Sequence, residues 1–405
     1  MKNSIFNLIS FVIPALFMFI SMGVLSRYLD AEVLGLYVLI VTFLNYGMIF
    51  DFGLSQSAIW RLSSKDRVES INEIFTTLLY AMCILSIIPS TIILVFSEHL
   101  VDLVNVSEGY IDDASLSFKI IGVIIPLVTT LNLMQAVLEG FSKYKLLMYI
   151  RVFNNVLTAL MPCFMISLGI YSLSDLIFAF AITKIFFFLV LIFVFYIEKI
   201  TLFPTPNFFD KNILVKLFSF GKWIGLSNLI NQGLLYSDRF IISSVLGANV
   251  VVYYTMALDL VGKMAILPQS IYRVIFTEIN GGKKIDERLY ISIAMLFLTV
   301  SGFVFFLSPT IVKIWLGDAY VEKTSNIIQW LLIGFWFNAL SQKPYTELLS
   351  KGKTAIISKI HLFEILPYIF ALFLAVNSFG IVGAAIVWSL RMILDYALMK
   401  YFNNG

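Results

Sequence analysis

The stretch YSDRFIISSVLGANVVVYY, Tyr236 to Tyr254, sets an adjacent Asp238–Arg239 pair inside an otherwise apolar helical pattern. It also repeats an earlier stretch. Leu29–Tyr37 (LDAEVLGLY) matches Leu246–Tyr254 (LGANVVVYY), with Leu29 on Leu246, Ala31 on Ala248 and Tyr37 on Tyr254, a constant shift of 217 residues. Two further matches keep the same order. Val106–Ala114 (VSEGYIDDA) resembles Leu316–Thr324 (LGDAYVEKT) at a shift of 210, and Ser142–Lys145 (SKYK) resembles Ser350–Lys353 (SKGK) at a shift of 208. Three ordered matches with slowly drifting offsets point to an internal duplication, one copy of which carries a charge pair in an apolar helix.

The bulk composition says where such a helix lives. Of 405 residues, 60% are hydrophobic and 13% charged, and the mean hydropathy is +0.93. Soluble domains carry about 25% charged residues, and a membrane-crossing helix needs roughly 20 apolar residues. Apolar runs of that length fill this chain, so the fold class is an all-α polytopic membrane protein. Helices are expected at 5–26, 33–55, 74–96, 118–139, 146–168, 173–197, 218–245, 250–274, 286–308, 326–346, 355–376 and 379–400. The N-terminal run to Leu25 lacks a small-x-small cleavage site and reads as a retained first helix. Twelve helices leave no room for a large soluble domain. The Glu198–Lys216 break, with Phe203-Pro204-Thr205-Pro206, divides the chain into an N-terminal six-helix bundle, 1–203, and a C-terminal one, 204–405. An even number of spans per half makes the repeats parallel, which places a substrate site between two pseudo-symmetric bundles, around a central cavity.

Loop cations set the orientation. Lys2, Arg61, Lys65, Arg67, Lys143, Lys145, Arg151, Lys199, Lys211, Lys216, Lys222, Arg273, Lys283, Lys284, Arg288, Lys343, Lys351, Lys353, Lys359 and Lys400 fall on one side, against Arg27, Lys119, Lys313 and Lys323 on the other. Positive residues collect on the cytoplasmic side, so both termini are expected there. The outer loop with Glu98, Asp102, Glu108, Asp112 and Asp113 reads mostly as a solvated rim.

A charge at the centre of a membrane helix costs roughly 2.5–3.5 kcal/mol to insert, so each one calls for a reason. The candidates are Arg27 and Asp51 near helix ends, and Lys184, Asp238, Arg239, Asp259, Lys263, Glu364, Arg391 and Asp395 deeper in. Asp259 with Lys263, and Arg391 with Asp395, have the four-residue spacing of a helix-face pair, and such pairs are also the bland solution that merely lets a helix insert. Asp238 and Arg239 point about 100° apart on a helix. Their partners must come from other helices or from a wet cavity. Lys184 has no acidic residue within four positions and needs an outside partner as well. Together the deep cations describe a basic space suited to a phosphate or diphosphate, because Arg pairs its planar fork with phosphate oxygens and Lys acts as a point charge. Asp51, Asp238, Asp259 and Asp395 are then charge partners or coupling sites. Asn228, Asn231 and Gln232, on the helix that carries Arg239, are candidate sugar contacts, or simply polar bonds between helices. His361 and Glu364, three residues apart, form a candidate proton-sensitive pair.

Six prolines (Pro14, Pro89, Pro126, Pro162, Pro268 and Pro367) fall within the expected helices, where they serve a moving transporter or a static bundle equally. Cys83 and Cys163 lie in apolar runs and read as small core residues. No GK[ST] phosphate loop, catalytic triad or metal-ligand spacing is present in the sequence, so neither metal nor cofactor is expected, and nothing points to nucleic acid.

The run LSRYLDAEVLGLYVLIV followed by Asp51-Phe52-Gly53-Leu54 resembles the opening of Wzx-type polysaccharide flippases, members of the multidrug/oligosaccharidyl-lipid/polysaccharide exporter superfamily. SDRFIISSVLGANVVVYYTMALDL resembles the counterpart in their second half, and LEGFSKYK and WLGDAYVEKT fit as well. Val252 departs from the pattern, standing where Gly35 stands in the first copy. The resemblance covers essentially the whole chain. It implies a MATE-like fold of two six-helix bundles about a V-shaped cavity in the bacterial inner membrane. It also implies movement of undecaprenyl-diphosphate-linked oligosaccharide, for O-antigen or a related surface polysaccharide, from the cytoplasmic to the periplasmic leaflet. Arg239, Lys263, Lys184, Arg27 and Arg391 are then the expected diphosphate ligands, and a polysaccharide polymerase and a chain-length regulator the expected neighbours. A cation-coupled drug antiporter of the same superfamily is the alternative, and would want an acidic cavity. A polymerase or ligase would want a larger outer loop than this chain has.

Overall fold

The computed structural model describes residues 2–47, 51–64, 69–200, 208–280 and 286–404, without the side chains of 2–12, 45–47, 227, 231, 277, 280, 354 and 404. Lys65, Arg67, Lys283, Lys284, the Phe203–Pro206 break and the side chains of Lys2 and Asn231 therefore lie outside what is described. Among the described residues there are thirteen α-helices: α1 (Lys2–Tyr28), α2 (Ala31–Gly47), α3 (Leu54–Ser63), α4 (Ile71–Val95), α5 (Ser97–Leu103), α6 (Ile111–Gly140), α7 (Tyr144–Ser167), α8 (Leu173–Ile197), α9 (Lys211–Leu246), α10 (Ala248–Asn280), α11 (Glu287–Leu316), α12 (Val321–Ser350) and α13 (Thr354–Asn404). Eight of them, α4, α6 to α11 and α13, are long and apolar enough to cross a membrane. Many large apolar side chains point outward, among them Phe306, Leu366 and Phe379. Such a surface is solvated by lipid, and in lipid a helix satisfies its own backbone polar groups.

The chain forms two compact units, Met1–Gly233 and Leu234–Gly405. In the first unit α6 packs against α2, α3, α4 and α8, and α1 packs along α7. Leu54, Leu78, Leu133, Leu138, Phe187 and Leu217 are among its fully or almost fully buried core residues. The helix expected over 33–55 is not continuous. α2 ends at Gly47, Phe52 and Gly53 have φ of 48° and 76°, and α3 starts at Leu54. The reason lies far along the chain. Gly221 and Gly225 of α9, one turn apart, approach the Phe52–Gly53 backbone so closely that a Cβ on Gly225 would lie 2.7 Å from the Phe52 Cα. Glycines at this spacing let two backbones meet. The Ser57 hydroxyl fastens the contact by donating to the Leu217 carbonyl at 2.8 Å.

In the second unit α12 packs against α10, α11 and α13. α13 is not one rod. Gly380 has φ 61° and ψ −149°. Glu364 and Arg391, 27 positions apart, are bonded to each other, whereas a straight helix would separate them by about 40 Å. The chain folds back at Gly380 into two antiparallel arms, 354–379 and 381–404, the two helices expected at 355–376 and 379–400. Gly383 permits the tight return, since a Cβ there would lie 2.7 Å from the Ala375 carbonyl carbon.

Each unit carries the repeat in its backbone. Short 3-10 turns at Glu108–Tyr110 and Asp318–Tyr320 lead into α6 and α12. After those helices Lys143 N–H donates to the Leu138 carbonyl at 3.0 Å and Lys353 N–H to the Leu348 carbonyl at 2.9 Å. Ser142 and Gly352 hold the positive φ, at 57° and 71°. These turns correspond at a shift of 210, which corrects the 208 read from SKYK and SKGK. The left-handed residue defines the turn, and the shared Ser-Lys letters lie two positions out of phase with it. α5 is a short helix that the apolar pattern did not show. One member of the acidic rim is structural rather than solvated: Asp113 accepts from the Leu173 and Ser174 N–H groups at 2.8 and 3.0 Å, holding the start of α8.

Candidate functional site

The second unit gathers buried charges from four helical segments. Asp238 and Arg239 sit side by side on α9 and, as their 100° separation requires, find separate partners on α10. Asp238 accepts from the Tyr254 hydroxyl at 2.9 Å, and Arg239 donates to Asp259 at 3.2 Å. Asp238 is 1% exposed and Arg239 8%, so both depend on those partners. The Arg239 guanidinium also lies 5.0 Å from the centre of the Tyr236 ring. On the two arms of α13, Arg391 donates to Glu364 at 3.3 Å and rests 5.2 Å from the centre of the Tyr368 ring. Asp395 accepts from the Ser341 hydroxyl of α12 at 2.6 Å and faces His361 at 3.6 Å.

These contacts revise one pairing read from the sequence and extend another. Arg391 reaches across the hairpin to Glu364 rather than along its own helix to Asp395, and His361, besides acting on Glu364, faces Asp395. A long guanidinium crosses to a neighbouring helix as readily as it climbs one turn. Asp259 serves Arg239, and Lys263 lies half-buried one turn further along α10.

The first unit treats its deep cation differently. Lys184 of α8 is buried and, as expected, is met from another helix, but its partners are neutral: Asn154 at 3.2 Å and Thr158 at 3.0 Å, both on α7. Its ammonium lies 4.9 Å from the centre of the Phe180 ring. Arg27 ends α1 as an exposed side chain donating to the Gly23 carbonyl at 3.0 Å. Asp51 caps the break before α3, accepting from Gly53 N–H at 2.5 Å. It also lines a polar cavity of about 320 Å³ that includes Asn228 and Gln232. Part of this cavity is not legible in the sequence. Arg151, counted there among loop cations, lies in the second turn of α7 and donates to Gln135 at 3.2 Å and Glu139 at 2.8 Å. The Gln135–Glu139 spacing on α6 was the available signal. Among the described residues no group of three or more His, Cys, Asp or Glu is placed to hold a metal ion.

An all-helical, lipid-facing fold with paired charges buried in its helices defines a polytopic membrane protein, and the comparisons give its fold as MATE-like. The chain belongs to the family described as polysaccharide biosynthesis protein, whose model matches residues 1–279. It is 31% identical over 412 residues, 99% of this chain and 96% of the relative, to a putative O-antigen transporter of Shigella flexneri. Among solved structures it is similar to the lipid II flippase MurJ in an inward closed conformation (TM-score 0.77, 17% identity, 99% of this chain and 87% of that one). It is also similar to an inward-facing multidrug resistance MATE family transporter of the MOP superfamily (TM-score 0.74, 15% identity, 98% and 97%). At those identities the solved structures speak to fold. The polysaccharide-flippase family and the superfamily fold expected from the sequence are both borne out.

Proposed function

We propose that this chain is a flippase, a transporter and not an enzyme, that moves a lipid-linked oligosaccharide across the bacterial inner membrane for O-antigen or a related surface polysaccharide. The observation that carries this reading is the 31% identity, over 99% of the chain, to a putative O-antigen transporter. The physical task is to take a diphosphate and a sugar chain through about 30 Å of hydrocarbon. The charges of the second unit suit the first part of that task. Arg239 and Arg391 rest on Asp259 and Glu364, and each phosphoryl group of a diphosphate likewise offers anionic oxygens that a guanidinium fork can pair with. Exchanging carboxylate for phosphate keeps each guanidinium paired throughout, which avoids the large cost of a lone buried charge. Lys263 adds a further cation on α10, whereas Lys184, held by neutral partners, fits a structural role better. The carboxylates released in the exchange, Asp259 and Glu364, are then free to take up a proton or ion, and Asp238 and Asp395 stay bonded to Tyr254 and Ser341.

In this reading the membrane is crossed twelve times, in two pseudo-symmetric sets of six helices divided at 203/204. The eight long apolar helices supply eight crossings, and α1, α2 continued by α3, α12 and the second arm of α13 supply the rest. The loops after α3, α6, α10 and α12 face the cytoplasm, as do both termini, because Lys143, Lys351 and Lys353 among others lie there. The substrate is undecaprenyl-diphosphate-linked oligosaccharide, and a polymerase and chain-length regulator act next to it.

Deleting the protein from its host and analysing the surface polysaccharide tests the reading. Lipid-linked repeat units are expected to accumulate unexported and return to the surface with the wild-type gene. Display of single unpolymerised units on the deletion cells would instead mark a polymerase and reject the flippase.

A further inference from the structure

The polar cavity of the first unit is left unused by the charge network, and its lining has an unusual chemistry. Five carboxamides converge on it: Gln56 of α3, Asn132 and Gln135 of α6, and Asn228 and Gln232 of α9. The spacing presents them together, since positions three and four apart share a helix face. Asn132, Gln135 and Glu139 form a line about 10 Å long on α6. Arg151 occupies Gln135 and Glu139. Among the described residues, Gln56, Asn132, Asn228 and Gln232 make no side-chain hydrogen bond to the protein, and the carbonyl oxygen of Gln232 is buried without a partner. A buried acceptor left empty is costly, and natural proteins keep few of them without a purpose.

This lining discriminates among the parts of the proposed substrate. A diphosphate offers only acceptors. It would face amide carbonyls together with the Asp51 and Glu139 carboxylates, opposed by one guanidinium that Glu139 already holds. A polyprenyl chain offers no hydrogen bonds at all. Sugar hydroxyl and acetamido groups both donate and accept, as a carboxamide does. The volume, about 320 Å³, falls in the range of small-molecule pockets.

We infer that this amide-lined cavity of the first unit binds the sugar of the substrate, an uncharged hexose or N-acetylhexosamine, apart from the arginines that take the diphosphate. The inference rests on the flippase reading and adds to it a second, sugar-specific site. Asp51 and Glu139 in the wall make an acidic sugar a poorer fit than a neutral one.

The test measures binding to the purified protein in lipid nanodiscs with two probes. One is the lipid-linked repeat unit extracted from cells lacking this protein, and the other is bare undecaprenyl diphosphate. The Asn132→Leu/Gln232→Met variant keeps side-chain volume while removing two amides. It is expected to bind the repeat unit about 10-fold or more weakly, as loss of a hydrogen bond or two predicts, and to bind the bare diphosphate as wild type does. Gln56→Met, at an exposed position whose replacement leaves the packing intact, is expected to show a smaller loss of the same selectivity. Equal loss on both probes with an unchanged Tm, or no loss on either for both variants, overturns the sugar site and leaves the flippase reading standing. Failure of the wild-type protein to bind either probe overturns the flippase reading itself.

Discussion

The hairpin α7–α8 in the first unit and the two arms of α13 in the second occupy the same place in the repeat, yet they solve one problem in two ways. In each, a cation on the later helix reaches back to the earlier one. Lys184 meets the neutral side chains of Asn154 and Thr158, whereas Arg391 meets the Glu364 carboxylate. The entry helices differ in the same sense. At the shift of 217, Asp238, Arg239 and Asp259 of the second unit fall on Ser21, Met22 and Thr42 of the first. Tyr254, which donates to Asp238, falls on the buried Tyr37. One scaffold is therefore built twice. Among the described residues the ion pairs at these particular positions, Arg239–Asp259 and Arg391–Glu364, occur in the second copy, while the first copy places a largely buried pair elsewhere, at Arg61 and Glu69. Hydrophobic packing alone does not require those pairs, since an ion pair in a low-dielectric interior seldom stabilises more than apolar residues of the same volume would. The proposal that the second copy handles an anion, and the amide cavity of the first copy neutral groups, rests on this difference between equivalent positions.

The sharpest way to break this contrast is to remove one acceptor from each hairpin. Glu364→Leu strands the Arg391 guanidinium and is expected to destabilise the protein by about 3–5 kcal/mol. Asn154→Leu removes a neutral acceptor while Thr158 remains, with an expected loss of about 1–3 kcal/mol. Thermal unfolding in a fixed detergent compares the two, and equal losses would erase the distinction between the units. Tyr254→Phe probes the entry helices. It deletes a hydrogen bond to a buried carboxylate and is expected to cost about 1.5–3 kcal/mol, against a smaller effect for Tyr37→Phe, read in the same melts.

The smallest effect concerns acid. Glu69, in the connection between α3 and α4, accepts from Arg61 of α3 and from Lys216 of α9 at 3.2 Å. Desolvation raises its carboxyl, but the hydrogen bonds from Arg61 and Lys216 outweigh it and hold the group down at about 2, against an ordinary value of 4.5. A carboxylate with a depressed folded value contributes stability above its unfolded value and loses it as the pH falls. This contribution is thus complete above pH 4.5 and fades toward pH 2. Glu69→Gln is expected to flatten that limb of a stability–pH curve and leave its shape above pH 5 unchanged.

The sequence exposed the duplication because turn residues repeat where the backbone must repeat, as Tyr110 and Tyr320 do beside their 3-10 turns. It also showed that Asp238 and Arg239 need partners on other helices, since helical geometry alone forbids their pairing. Other features depend on contacts that no local pattern carries. The break before α3 is set by Gly221 and Gly225, more than 160 residues further along the chain. A four-residue spacing such as Arg391–Asp395 is visible in a sequence, whereas the hairpin contact that pairs Arg391 with Glu364 is not. Arg151 reads as a loop cation because it lies near the start of α7, and no local pattern shows the Gln135 and Glu139 side chains of α6 that hold it.

The central claim, that the charges of the second unit carry the diphosphate, is tested most directly by the leaflet location of the lipid-linked repeat unit. The assay uses cells lacking this protein, complemented with wild type, Arg239→Ala or Lys184→Met. The account predicts release to the periplasmic face with wild type and with Lys184→Met, and trapping on the cytoplasmic face with Arg239→Ala although that variant inserts at normal levels. Wild-type release by Arg239→Ala would contradict it.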